Sequence, residues 1–155
     1  MKKNVSRIAL IAIGSFVLAG LLALPPATAQ DGPLILSGLE ISVTRLERST
    51  IVPLGDCPRG ENIVRGVIRR GDEANEFVTV HIDFKVLPDF RPVDWPRPAI
   101  HDVNGRTYRT AQVFGEMNRD PEFTCDFSFR VPVGMKVQEF LVDGDVTLDL
   151  TAYDR

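Results

Sequence analysis

The two histidines are the natural first place to look for chemistry. His81 and Asp83 stand two positions apart in a run of alternating residues, so both side chains fall on one face of an extended strand. There they can share a hydrogen bond and act as a general base or as half of a metal site. His101 is the obvious further ligand, although no spacing brings it close. Met117 and Met135 add thioethers, which together with imidazole suit copper in an oxidising compartment. Asp102-Val103-Asn104-Gly105 and Asp143-Gly144-Asp145 crowd oxygen ligands together, but neither continues into a calcium loop with its closing bidentate Glu. Turn chemistry explains both, and a solvent-facing pair is the plainer reading of His81 and Asp83. With no Gly-x-Ser-x-Gly elbow either, these groups do not converge. No catalytic residue, metal or cofactor is expected.

The most informative segment is Leu87-Pro88-Asp89-Phe90-Arg91-Pro92-Val93-Asp94-Trp95-Pro96-Arg97-Pro98. Its four prolines hold the chain extended and lower the entropy lost on docking. Phe90, Arg91, Trp95 and Arg97 are residue types that concentrate binding energy at interfaces. Two arrangements fit. The loop is a contact surface, or Phe90 and Trp95 fold back as a lid with an Arg stacked on the indole. A second basic group, Arg65, Arg69 and Arg70, is followed at once by Asp72, Glu73 and Glu76 and reads as a solvated hairpin tip.

Strands must position all of these groups. Val78, Val80, Ile82, Phe84 and Val86 alternate with Phe77, Thr79, His81, Asp83 and Lys85, which predicts a half-buried strand with the second set facing solvent. Phe123, Cys125, Phe127, Phe129 and Val131 predict another, ended by Pro132. Leu39, Ile41 and Val43 open the set, and Val146, Leu148, Leu150 and Ala152 close it. Shorter runs at Ile63 to Ile68 and Val137 to Val142 end in turn residues. Asn104-Gly105 between Ala99-Ile100 and Thr107-Tyr108 signals a hairpin with two positive-φ centres. Helical periodicity is absent, save for one possible turn from Ala111 to Met117. Seven to eight short antiparallel strands predict an all-β, immunoglobulin-like β-sandwich.

The chain of 155 residues begins with Lys2, Lys3 and Arg7, an apolar run from Ile8 to Leu24, and small residues at Ala27 and Ala29. This predicts a secretory signal peptide over residues 1–29 and one domain over residues 30–155. An uncleaved anchor is the alternative, since 17 apolar residues are at the short end of a bilayer span. Without Lys2, Lys3 and Arg7 the 18 basic residues become 15 against 21 acidic, a net charge of −6. That balance excludes a general nucleic-acid surface, which needs clustered cations. Cys57 and Cys125 are the only cysteines, and in an exported chain an even pair predicts one disulfide.

The strands Leu39 to Val43 and Glu76 to Phe84, the hairpin Asp102 to Tyr108, and Phe127-Ser128-Phe129-Arg130-Val131-Pro132 together resemble the telokin-like, immunoglobulin-fold extracellular domain of exported bacterial proteins. The resemblance implies a sandwich of the cell envelope or medium and carries over no active-site residue. Where that family often has asparagine soon after the long central strand, this chain has Leu87-Pro88-Asp89-Phe90. The expectation is a non-enzymatic interaction module, secreted or periplasmic, that meets a protein or envelope component through Phe90, Arg91, Trp95 and Arg97. The alternatives are a small-ligand or metal-binding envelope protein using His81, Asp83 and His101, or a structural envelope component.

Overall fold

A computed structural model of the chain describes residues 32–58 and 67–155. The expected signal peptide, Arg65 and most of the expected Ile63 to Ile68 strand lie outside the described residues. These carry ten strands and no helix: β1 Leu34–Leu36, β2 Leu39–Ser49, β3 Ile51–Leu54, β4 Val67–Arg70, β5 Asn75–Val86, β6 Ala99–Asp102, β7 Thr107–Arg109, β8 Glu122–Pro132, β9 Val137–Asp143 and β10 Val146–Asp149. Two antiparallel four-stranded sheets, β1-β2-β5-β8 and β10-β9-β6-β7, face each other as a β-sandwich, with β3-β4 a separate hairpin.

Alternation builds the core. Ile82 stands opposite Cys125, Val80 opposite Phe127 and Val78 opposite Phe129, and all six are fully buried on the inner face of the first sheet. The second sheet answers with Ile100, Val137, Phe140, Val142 and Leu148. Phe140 lies 5.8 Å from the Phe127 ring and 6.1 Å from that of Phe129, so three rings join the two layers. Each contributes about 3 kcal/mol by leaving water. In β2 the register slips between Val43 and Arg45, which lets the inward set pass from Ile41 and Val43 to Leu46. That bulge explains why the apolar alternation of the sequence breaks there.

Several expectations need correction. Alternation alone turns Phe77, Thr79 and His81 to solvent, yet all three are buried. Phe77 and Val52 are buried but stand outside the main core cluster, because β3 packs against β5 and β8. Pro53 conceals β3 in the sequence; in a two-stranded hairpin it faces only Ile68 and tolerates the missing N–H. Residues 111–117 form no helical turn: Phe114 bridges Cys57 in parallel, so the segment is extended. The last strand stops at Asp149, and the residues after it turn back through Tyr153 N–H to Leu150 O at 3.0 Å. In the β6–β7 turn Gly105 has φ +75°, whereas Asn104 does not take positive φ. Gly105 N–H bonds Asp102 O at 2.9 Å, the mark of a turn led by Asp102.

Two cross-links fasten the fold, one from the first sheet to the segment after β3 and one between the sheets. Cys57 and Cys125 are joined, closing a separation of 68 residues. Arg48 on β2 bonds Asp154 Oδ1 through Nε at 3.2 Å and Nη2 at 2.7 Å, Glu76 at 2.5 Å and Met135 O at 2.6 Å. Asp154 Oδ2 accepts the Val137 N–H at 2.8 Å, so the chain's end is stitched to both sheets. Burial works to raise the Asp154 carboxyl, but the Val137 N–H and the Arg48 guanidinium outweigh it and hold the group below the ordinary carboxylate value.

Replacing both cysteines by Ala is expected to lower unfolding free energy in denaturant by about 4 kcal/mol, the loop-closure value for this separation. A loss below about 1 kcal/mol would show that the bridge contributes little. The depressed Asp154 carboxyl gives stability that is present above the unfolded carboxylate value, about 3.9, and lost as pH falls through the folded one. Asp154→Asn is therefore expected to cost about 2 kcal/mol near neutral pH, with the gap to wild type closing in acid. Melting curves from neutral to acidic pH check this.

Candidate functional site

β5 ends at Val86, and the chain then leaves the sheet as the loop of residues 87–98. Its first half is fixed by backbone to the turn between β1 and β2. Leu87 N–H donates to Gly38 O at 2.8 Å, Phe90 N–H to Leu87 O at 3.0 Å, and Arg91 N–H to Ser37 O at 3.0 Å. Gly38 has φ +76°, and a Cβ there would fall inside the Phe90 backbone. Only glycine permits this approach. Phe90 is half-buried against the core cluster.

In the second half Trp95 is also half-buried and packs against the core. Its ring partner is Phe114, at 5.2 Å and 48°, in place of the arginine that the sequence suggested. Arg91 and Arg97 are exposed and form no ion pair among the described residues. The loop thus separates its residue types, with aromatic anchors turned inward and cations turned outward. The lid arrangement describes Phe90 and Trp95, and the arginines stay available to an external partner.

The histidines part company. His81 Nδ1 donates to Asp126 Oδ1 across the β5–β8 pair at 2.5 Å, while Asp83 accepts the Thr124 hydroxyl at 2.7 Å, so His81 and Asp83 do not bond each other. His81 Nε2 is buried without a hydrogen-bond partner, and Glu47 Oε2 stands 3.6 Å away. The His81 ring thus sits between the Asp126 and Glu47 carboxylates on the strands either side of β5. His101 lies on the other sheet, where Nδ1 pairs with Glu139 at 2.7 Å. Met117 is buried in the main core. Among the described residues no three His, Cys, Asp or Glu side chains come together as a metal set. Asp102 is a turn residue: Oδ1 accepts the N–H groups of Asn104 at 2.8 Å and Arg106 at 2.9 Å. Burial pushes its carboxyl up, and those two bonds more than offset it and hold it below the ordinary value. An open groove of about 400 Å³ on the outer face of the first sheet is lined by Glu40, Ser42, Asp83, Lys85, Glu122 and Thr124.

Gln112 was missed from the sequence. Its buried side chain accepts the Ser128 N–H at 2.8 Å and donates to Asp126 O at 2.8 Å and Gly55 O at 2.6 Å. One amide therefore takes the place of a neighbouring strand at the free edge of β8 and closes it to further pairing. Nothing in residue spacing announces such a role, since it depends on where the 110–114 segment crosses. Asp126 was more accessible to inference, because alternation places it on the outer face of β8, but the register that sets it opposite His81 was not.

Compared with known proteins, the chain matches no family model, and no curated protein and no solved structure is significantly similar to it. Fold and loop together describe a small disulfide-linked β-sandwich that carries a proline-rich loop at one end. No helix among the described residues is long and apolar enough to cross a membrane.

Gln112→Ala would strand a buried donor and acceptors at the β8 edge, and a loss of about 2 kcal/mol is expected in denaturant titration. Stability equal to wild type would mean that water replaces the amide.

Proposed function

We propose that this protein is an exported interaction module of the cell envelope or medium, without enzymatic activity, whose contact surface is the loop from Pro88 to Pro98. One observation carries the reading: Arg91 and Arg97 stand exposed, without an ion pair among the described residues, on a loop anchored from beneath by Phe90 and Trp95. The prolines keep the loop extended whether docked or free, so little backbone entropy is lost on docking. Guanidinium groups suit carboxylates, phosphates and backbone carbonyls of a partner protein or envelope component. The disulfide fits an oxidising, extracytoplasmic setting. The telokin-like resemblance agrees with such a role, since its implied fold supports loops at the ends of a sandwich.

The test begins with affinity capture from envelope and medium, followed by equilibrium titration of the purified partner. Arg91→Ala and Arg97→Ala are expected each to weaken binding about tenfold or more, with unchanged melting temperature, since both side chains are exposed. Equal affinity for wild type and both variants would contradict the reading.

A further inference from the structure

Among the described residues, the chain between Arg91 and Pro98 is attached to the rest of the protein by one inward side chain. Arg91 N–H is held by Ser37 O at 3.0 Å, and Thr110 N–H reaches Pro98 O at 3.4 Å. Residues 92–97 form no hydrogen bond among the described residues. Pro92, Val93, Asp94, Pro96 and Arg97 are exposed, and Trp95 alone turns inward. Its Nε1 is buried without an acceptor. Closure gains the apolar burial of the indole but leaves an N–H unsatisfied, a cost that any state open to water recovers. Opening breaks no backbone bond. The prolines, and the restriction they place on Arg91, Trp95 and Arg97 before them, keep the segment extended whether docked or free.

We infer that residues 92–97 form a strap shut by Trp95 alone, and that the surface it covers over Phe114 is a binding cleft for an aromatic ring carried by the partner. The inference rests on reading this loop as the contact surface. The floor of the cleft is independent of the strap. Phe114 sits against Phe127 at 4.9 Å and edge-on to Phe84 at 6.2 Å, and Phe84 is stacked on Phe123 at 5.1 Å. Phe84 and Phe127 belong to the sandwich core and stay in place when Trp95 leaves. The ring that fills the cleft in the shut state shows what fits it: flat, apolar and no larger than indole. A partner's phenyl ring would cover the same face without an orphaned donor. The released indole would then give its N–H to a carbonyl of the partner, beside the outward cations Arg91 and Arg97. A minor open state made dominant by its ligand is all that the exchange requires.

Trp95 is the only tryptophan, so its indole N–H gives a single signal in a proton–nitrogen spectrum. In deuterated solvent that hydrogen is expected to be protected at least about 100-fold less than the amides of Val80 and Phe127, since local opening needs far less free energy than global unfolding. Equal protection would mean that the strap lifts only when the sandwich unfolds, and would overturn the inference. In a second arm, millimolar indole is expected to raise the melting temperature of Trp95→Ala by a few degrees and leave wild type unchanged, because a ligand that binds the native state stabilises it. A folded Trp95→Ala protein that ignores indole would also overturn the inference. Neither arm uses the partner. Failure of the contact reading appears instead as a partner indifferent to Arg91→Ala and Arg97→Ala, with both of these results intact.

Discussion

The structure depends on β5 being satisfied on both edges and, from Phe77 to Ile82, buried on both faces. Its twelve residues pair with β2 on one side and β8 on the other. Val78, Val80, Ile82 and Phe84 enter the core, while Phe77, Thr79 and His81 are covered on the opposite face. A polar group enclosed in this way must find its partner within the protein. Thr79 meets the Ser128 hydroxyl at 2.8 Å, and His81 meets Asp126. The most suggestive side chain of the sequence is thus occupied in holding two strands in register.

Placing β8 beside β5 determines much of the remaining architecture. It sets Cys125 where Cys57 can reach it, presents Asp126 and Ser128 to Gln112, and puts Phe127 beneath Phe114 and so, indirectly, beneath Trp95. Through Phe114 the loop rests on Phe127 of β8 and Phe84 of β5. Its aromatic residues are shared with the core and its cations are not.

The sequence was most informative where one physical rule acts alone. Period-two alternation located β2, β5, β8 and β10, a short apolar run ended by turn residues located β9, and the lone cysteine pair identified the disulfide. It was silent where several rules compete. Pro53 reads as a breaker of strands, yet β3 is a strand because its hairpin does not need that N–H. Thr79 and His81 look solvent-facing by alternation, which cannot register that Ser128 and Asp126 stand beside them on β8. No spacing singles out Asp154, and only the fold brings it to Arg48 and Val137. At the loop, residue types singled out Phe90, Arg91, Trp95 and Arg97, of which the structure turns Phe90 and Trp95 inward. Which would turn inward depended on Phe114, and the expected helical turn had hidden it.

The central claim, that the proline-rich loop is where this protein meets its partner, is tested most directly by the fluorescence of Trp95, the sole tryptophan, recorded while purified partner is added. The account predicts a saturable change in emission that tracks the binding isotherm, because the indole either leaves its place over Phe114 or is covered there. Emission that stays constant through saturation would place the contact elsewhere on the sandwich and contradict the account.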